Sequence, residues 1–472
     1  MRIPYFRRIA IYVGVTLFCL LGALALVVVM FFHEFYPDVP AADFPPANDP
    51  ATAQRQDLEY FAQYLRYEQA YTPATRLQAE RLRQSYVAQA GSLSPAQFDL
   101  AIGSMVALAD NGHSTLYVGP LSRLNDRIPC RLYHFTDGYF VIRARHGCIG
   151  LLGAQVLKVD GQPIDTVATH MYAYTRGPRN HYDQFLSVFY LESPALLHAA
   201  GIAAGDDRIT LHVRAEDGSE RDETVLADPP DPDAPRVFSD SYLSPQHIEK
   251  EPMDWRPLLQ VPDGKLPVFL QDYAKPFQSA YWADQRIYYV QFRSNEDEPG
   301  YPIRSFVQKV EQGIATHHPR DIVLDLRLDQ GGNFVTTASF MEHLAEAVSH
   351  IYVLTSAWTF SAGDVSLALV RDRGAGKVTV IGEAPGDRLR LWAEGGSIKL
   401  PNSGLVLGFA TGLHDYAHSC WREPGCFWTM YLFPTHVTSL LPDRAVSYRF
   451  QDYRGLRDPM LDKALELSRS AP

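Results

Sequence analysis

"YVLTSAWTFSAGDVSLALV", residues 352–370, decides how this chain is read. A β-branched and apolar run ends at Thr355, a short turn follows, and a helical pattern opens at Ala362. Ser361 therefore sits where a strand has turned and a helix begins, between Phe360 and the small residues Ala362 and Gly363. A hydroxyl there projects at a helix N-terminus beside the Ala362 N–H, where dipole character favours an alkoxide. A serine before a helix is also an ordinary cap, so the stretch needs company before it means catalysis.

The flanking sequence supplies it. Strand and helix patterns alternate from about Ala280: "RIYYVQFRS", "SFVQKVEQGIA", "DIVLDLRLD", "TASFMEHLAEAV", "HIYVLTS", "GDVSLALVRDR" and "KVTVIGE". This alternation predicts an α/β core, with reacting groups at the strand ends. One earlier strand, in "DIVLDLRLDQGGNF", runs into Gly331 and Gly332. Paired glycines allow a tight turn with exposed backbone N–H groups, as an oxyanion site requires, although a plain strand-ending turn has the same signature.

Upstream, residues 129–230 read as a β unit, with Asp160-Gly161 and Asp217-Gly218 as turn points. "GAQVLKVDGQPIDTVATHMY" resembles the strand-turn-strand-helix of PDZ domains, which bind extended peptides by strand addition; a structural β unit without peptide affinity is the alternative. Before it, three helical patterns over residues 56–128 lead into "ADNGHSTL", where His113 stands between a glycine and two hydroxyl residues. "DPPDPDAPRV" marks a linker, and residues 231–279 are irregular.

The N-terminus carries a different signal. Arg2, Arg7 and Arg8 precede Ile9–Phe32, 24 residues without a charged side chain, and Glu34 and Asp38 follow. That run is long enough to cross a hydrocarbon core of about 30 Å and longer than a signal-peptide apolar region of about 7–15 residues. It predicts an uncleaved signal anchor with residues 1–8 in the cytoplasm and the bulk of the chain outside. "YPDVPAADFPPANDP" then reads as a spacer, residues 33–55, lifting the folded part off the membrane. Of five cysteines, Cys19 lies in the span, and the others form two close pairs, Cys130 with Cys148 and Cys420 with Cys426. A disulfide between Cys420 and Cys426 is expected; a metal site on His414, His418 and Cys420 lacks a second paired ligand set, so no metal is expected. A net charge of −11 without a basic stripe argues against nucleic acid as a partner.

Taken in order, "ADNGHSTL", the PDZ-like unit, "VLDLRLDQGG", "TFSAGD", "VIGEAPGD", "LPNSGLVL" and "LLPDRAV" with "GLRDPMLDKAL" resemble the S41 serine peptidases, the family of C-terminal processing proteases and tricorn-core-like enzymes. The resemblance implies an α+β multidomain chain with a ClpP/crotonase-like catalytic core over residues 280–472. It places the nucleophile on Ser361, the oxyanion donors on Gly331, Gly332 and Ala362, and the histidine of the His-using branch on His113. It implies hydrolysis of a peptide or protein substrate, no cofactor, and a bacterial inner-membrane protein facing the periplasm. The pattern departs at Gly386-Asp387, where the processing proteases carry a Gly-Lys pair with the base lysine, and at Asp329, where Asn is frequent. Lys377 precedes its strand and is expected to point away, which leaves His113 as base. A third member to orient His113 is expected among Asp415, Glu383 and Asp443. A non-catalytic peptide-binding or envelope scaffold and an esterase using the same serine remain the alternative functions.

Overall fold

The computed structural model describes residues 5–235 and 238–470. Arg2 and the end of the "DPPDPDAPRV" linker lie outside the described residues. One helix, Tyr5–Phe35, opens the chain. Its Tyr12–Phe35 stretch has a mean hydropathy of 2.8 and is long and apolar enough to cross a membrane. From Tyr12 to Met30 its side chains are exposed; Phe31 is half-buried and Phe35 fully buried against the folded part.

The following segment does not behave as a free spacer. It is extended, but its carbonyls are tied down: Tyr60 donates to Pro40, Tyr67 to Asp38, and Gln56 to Pro45. Backbone acceptors without secondary structure have found side-chain donors on the next helix, so the segment lies along the protein. That helix, Pro50–Tyr67, and the next two, Pro73–Ala88 and Pro95–Val106, share one start signal. Asp49, Thr72 and Ser94 cap them, each followed by proline, and Ser94 with Gln97 forms a capping box.

The β unit is an antiparallel sheet in the order Cys130–Phe135, Gly138–Ala144, Gln155–Val159, Arg208–Arg214, Glu220–Leu226. Both Asp-Gly pairs are turns, with Asp160 at φ 44°, Gly161 at 78° and Gly218 at 86°. The sheet and the helical segment share one apolar core. The irregular 231–279 segment fills the joint to the next layer: Leu243, Leu259 and Phe269 pack with Tyr133, Phe140 and Trp358.

The core sheet runs Arg444–Ala445, Val378–Gly382, His350–Thr355, Asp321–Asp325, Ile287–Phe292, Phe277–Trp282. All neighbours are parallel except the last pair. Successive residues point to opposite faces: Ile351 and Val353 meet the helices Ala338–His343 and Ala362–Arg373, while Tyr352 and Leu354 meet Met460 and Ala464 of Pro459–Ser470.

Two smaller β layers were not anticipated from the sequence. Arg390–Ala393 pairs with Gly412–Asp415, and the Gly396–Lys399/Val406–Phe409 hairpin recruits Thr115–Leu116 as a third strand. The "LPNSGLVL" segment is the hairpin's turn. Its Asn402 and Ser403 N–H groups donate to Asp57, so the N-terminal helices and this C-terminal hairpin are stitched together.

Candidate active site

The turn carrying Ser361 is clamped onto the neighbouring strand's end. Ser356 Oγ donates to the Arg327 carbonyl at 2.6 Å, Thr359 Oγ1 to Leu326 at 2.8 Å, and the Phe360 N–H to Asp329 at 2.9 Å. The clamp holds Ser361 at φ 56°, ψ −118°, a strained conformation for a residue with a Cβ and the kind of sharp strand-to-helix turn that presents a nucleophile. Glycine is required opposite it. A Cβ on Gly331, at φ 102°, would lie 2.6 Å from Ser361 Cβ and 2.9 Å from the Ala362 nitrogen.

The three expected oxyanion donors are not equivalent. The Gly331 N–H donates to Asp329 Oδ1 at 3.1 Å. The Gly332 and Ala362 N–H groups make no hydrogen bond among the described residues. Beneath this turn Asp329 is buried, which pushes its carboxyl up to about 7 against the hydrogen bonds from Gly331 and Asn295. Asp364, fully buried in the first turn of the same helix, has both carboxylate oxygens without a partner. Burial raises its pKa well above the usual value, and the nearby Asp387 and Asp329 carboxylates add to that.

His113 reaches the site on a loop fastened to the Arg390–Ala393 strand. Asn111 Nδ2 donates to the Trp392 carbonyl at 2.9 Å and its Oδ1 accepts from the Trp392 N–H at 3.1 Å. Arg388 donates to the Asp110 carbonyl at 2.7 Å. The imidazole stacks on Phe360, the residue before Ser361, with ring centroids 4.5 Å apart. Phe360 is in turn stacked on His181 at 4.2 Å, so it is held between two histidines. His181 donates through Nδ1–H to the Ala357 carbonyl at 3.1 Å, and burial pulls its pKa down to about 4.

Asp387 Oδ2 lies 3.2 Å from His113 Nδ1, the only carboxylate within ion-pair distance of that ring among the described residues. The contact is off the line of a hydrogen bond, and both ring nitrogens lack a hydrogen-bond partner. With Nδ1 facing a carboxylate, Nε2 is the nitrogen left for a hydroxyl.

The expected third members stand elsewhere. Asp415 accepts from Arg390 at 3.0 Å and from the Ala417 and His418 N–H groups; Glu383 accepts from the Tyr448 N–H and Gln184; Asp443 accepts from Arg371 and the Val380 N–H. Each is engaged in holding a loop or strand end, and the carboxylate beside His113 is instead that of Asp387. The sequence carries a signal for it: Asp387 stands in the Gly386-Asp387 pair, the position at which the resemblance implies a lysine. Lys377 donates to the Ala345 and Val348 carbonyls, away from the site. Cys420 is bonded to Cys426, so it offers no thiolate to the His414 and His418 pair; Cys130 is bonded to Cys148.

A cavity of about 380 Å³ opens beside this group, lined by His113, His181, Val118, Phe185, Trp358 and Phe360 among others. Its walls are largely apolar, with two imidazoles among them.

No family model and no curated protein matches the chain. Solved structures do. Mature CPAF complexed with lactacystin is 13% identical, covers 88% of this chain and 98% of its own, and superposes with a TM-score of 0.54. The CPAF S499A mutant gives 12%, 89%, 98% and 0.55. A photosystem II D1 C-terminal processing protease is 12% identical over 85% of this chain and 94% of its own, with a TM-score of 0.38. At these identities the likeness to the two CPAF structures is one of fold alone.

Proposed function

We propose that the chain is a membrane-anchored serine peptidase that forms an acyl-enzyme on Ser361, with His113 as general base and Asp387 as the carboxylate that orients it. The observation that carries this reading is a half-buried imidazole whose two enclosed nitrogens have no hydrogen-bond partner, 3.2 Å from a buried carboxylate and stacked on the residue preceding a strained serine. A histidine kept only for packing would normally satisfy its ring nitrogens.

In this mechanism Ser361 Oγ attacks the scissile carbonyl carbon while His113 Nε2 takes the hydroxyl proton. Charge that develops on the carbonyl oxygen is met by the Ala362 and Gly332 N–H groups, the two left free in the turn. The C–N bond breaks as His113 returns the proton to the departing amine. A water, deprotonated by the same imidazole, then hydrolyses the ester. Hydrolysis of peptides rather than other acyl compounds is drawn from the fold likeness and from an apolar cavity beside Phe360 that can take a side chain. The 129–230 unit would serve as a PDZ-like module adding a substrate strand to its sheet edge, and Tyr12–Phe35 would anchor the protein with its bulk outside the cytoplasm, facing the periplasm.

A fluorophosphonate probe tests the chemistry without knowledge of the substrate. Covalent labelling of Ser361, abolished in Ser361→Ala, is expected. Absence of labelling in folded protein would leave the scaffold reading, and turnover of esters but of no peptide would make the chain an esterase.

A further inference from the structure

We propose that the disulfide-stapled loop 420–433 docks into the bilayer interface, so that the folded part sits on the membrane rather than hanging from a tether. The proposal rests on the anchor reading of Tyr12–Phe35.

The argument starts from where the loop touches the helix. Phe427 packs on Phe31 and Phe35 at 5.6 and 5.1 Å between ring centroids, and Trp428 packs on the same two rings at 5.8 and 5.7 Å. Phe31 and Phe35 are one turn apart, roughly 6 Å along the axis, at the very end of the apolar stretch. A loop in contact with that turn is at the depth where hydrocarbon gives way to headgroups.

The loop's other side chains suit that depth. Trp421 is 59% exposed, Leu432 71% and Tyr431 44%, while the neighbouring helix exposes 55% of Phe32. Amphipathic Trp and Tyr beside a helix end are the composition of an interfacial belt, and such a group of exposed apolar side chains is costly facing water. The Arg422 guanidinium stacks over Trp421 at 4.2 Å, in position to meet an anionic headgroup.

The arrangement is rigid. The Cys420–Cys426 bond closes the loop, Tyr431 donates to the Trp421 carbonyl at 3.3 Å, Thr411 donates to the Phe35 carbonyl at 2.7 Å, and the Tyr36 hydroxyl donates to Glu394. Thr411 and Glu394 flank the Trp392 strand pair to which the His113 loop is fastened. The bilayer surface would thus fix the orientation of the layer that carries His113.

The test uses the full chain with a polarity-sensitive fluorophore attached in detergent and then reconstituted into phosphatidylcholine/phosphatidylglycerol vesicles. In a Cys19→Ser background, L432C and Y431C are expected to give blue-shifted emission and strong quenching by lipids carrying a nitroxide near the headgroup. M253C, at a side chain 79% exposed elsewhere, is expected to show neither. A label on the native Cys19 reads the anchor itself through nitroxides deep in the acyl chains. If Cys19 is quenched while L432C and Y431C behave like M253C, the docking inference fails and the anchor stands. If Cys19 is not quenched, the anchor reading fails and takes the inference with it. Labels shielded from aqueous iodide but not quenched by lipid would show the loop covered by protein, a second copy included, and would also overturn it.

Discussion

Asp387→Asn removes one charge from the centre of the proposed triad and little else, which makes it the sharpest single perturbation. The carboxylate is 1% exposed and lies 3.2 Å from His113 Nδ1, whose side chain is 16% exposed. When the imidazole takes the serine proton it becomes a cation at that distance. With an effective dielectric constant of about 20, two unit charges so placed attract by roughly 5 kcal/mol. Part of this is already spent on burying Asp387, so about 4 kcal/mol of transition-state stabilisation is at stake, roughly a thousandfold in rate. The amide adds a second penalty, because its NH₂ can donate to Nδ1 and leave Nε2 protonated, the wrong tautomer for a base. The rate constant for fluorophosphonate labelling of Ser361 measures this directly, with circular dichroism and a urea midpoint to show the fold is kept. Asp387→Glu should recover part of the loss, and Asp443→Asn, at an exposed pair with Arg371, should leave the rate almost unchanged. Labelling of Asp387→Asn within a few-fold of the parent would refute Asp387 as the orienting acid.

Other outcomes follow from the same geometry. Ser361→Ala and His113→Ala should each abolish measurable turnover of a peptide pool, and the double variant should be no worse than either, because the two act as a unit; additive losses would separate them. Gly331→Ala should lose labelling and about 2–4 kcal/mol of stability in urea unfolding, since its Cβ meets Ser361 Cβ at 2.6 Å with φ at 102°. His181, held neutral by burial down to about 4 against an ordinary 6.5, contributes stability that is intact above pH 6.5 and lost as pH falls towards 4, about 2–3 kcal/mol by pH 4.5. Asp329, raised to about 7, acts with the opposite sign and costs stability as pH rises from 3.8 through 7, so the His181 effect is read as the difference between parent and His181→Phe urea midpoints at pH 7 and 4.5. An unchanged difference would remove His181 from the acid response. Replacing Cys420 and Cys426 by serine should cost about 1–3 kcal/mol, the modest value of a short loop, seen as a lowered urea midpoint.

The alternation of strands and helices from Ile287 to Gly382, the Pro-led helix start after Ser94, and the Asp-Gly turns were all legible in the sequence, whereas the helix that starts at Pro50 lies partly inside the expected spacer. Each is dictated by neighbours within a few positions, through hydrophobic period, capping or the demand for positive φ. The strand-to-helix junction at Ser361 was legible for the same reason. What pairs with His113 was not, because Asp387 is 274 positions away and nothing local distinguishes its carboxylate from those of Asp415, Glu383 or Asp443. Only the packed structure shows that those three are already hydrogen-bonded at loop and strand ends, and that the Asn111–Trp392 clasp delivers His113 to the fourth. Likewise the Pro-rich segment after Phe35 has the composition of a tether, and composition determines whether a chain can form a helix or strand. Whether it hangs free is decided by distant donors such as Gln56 and Tyr60, which the fold alone brings to its carbonyls.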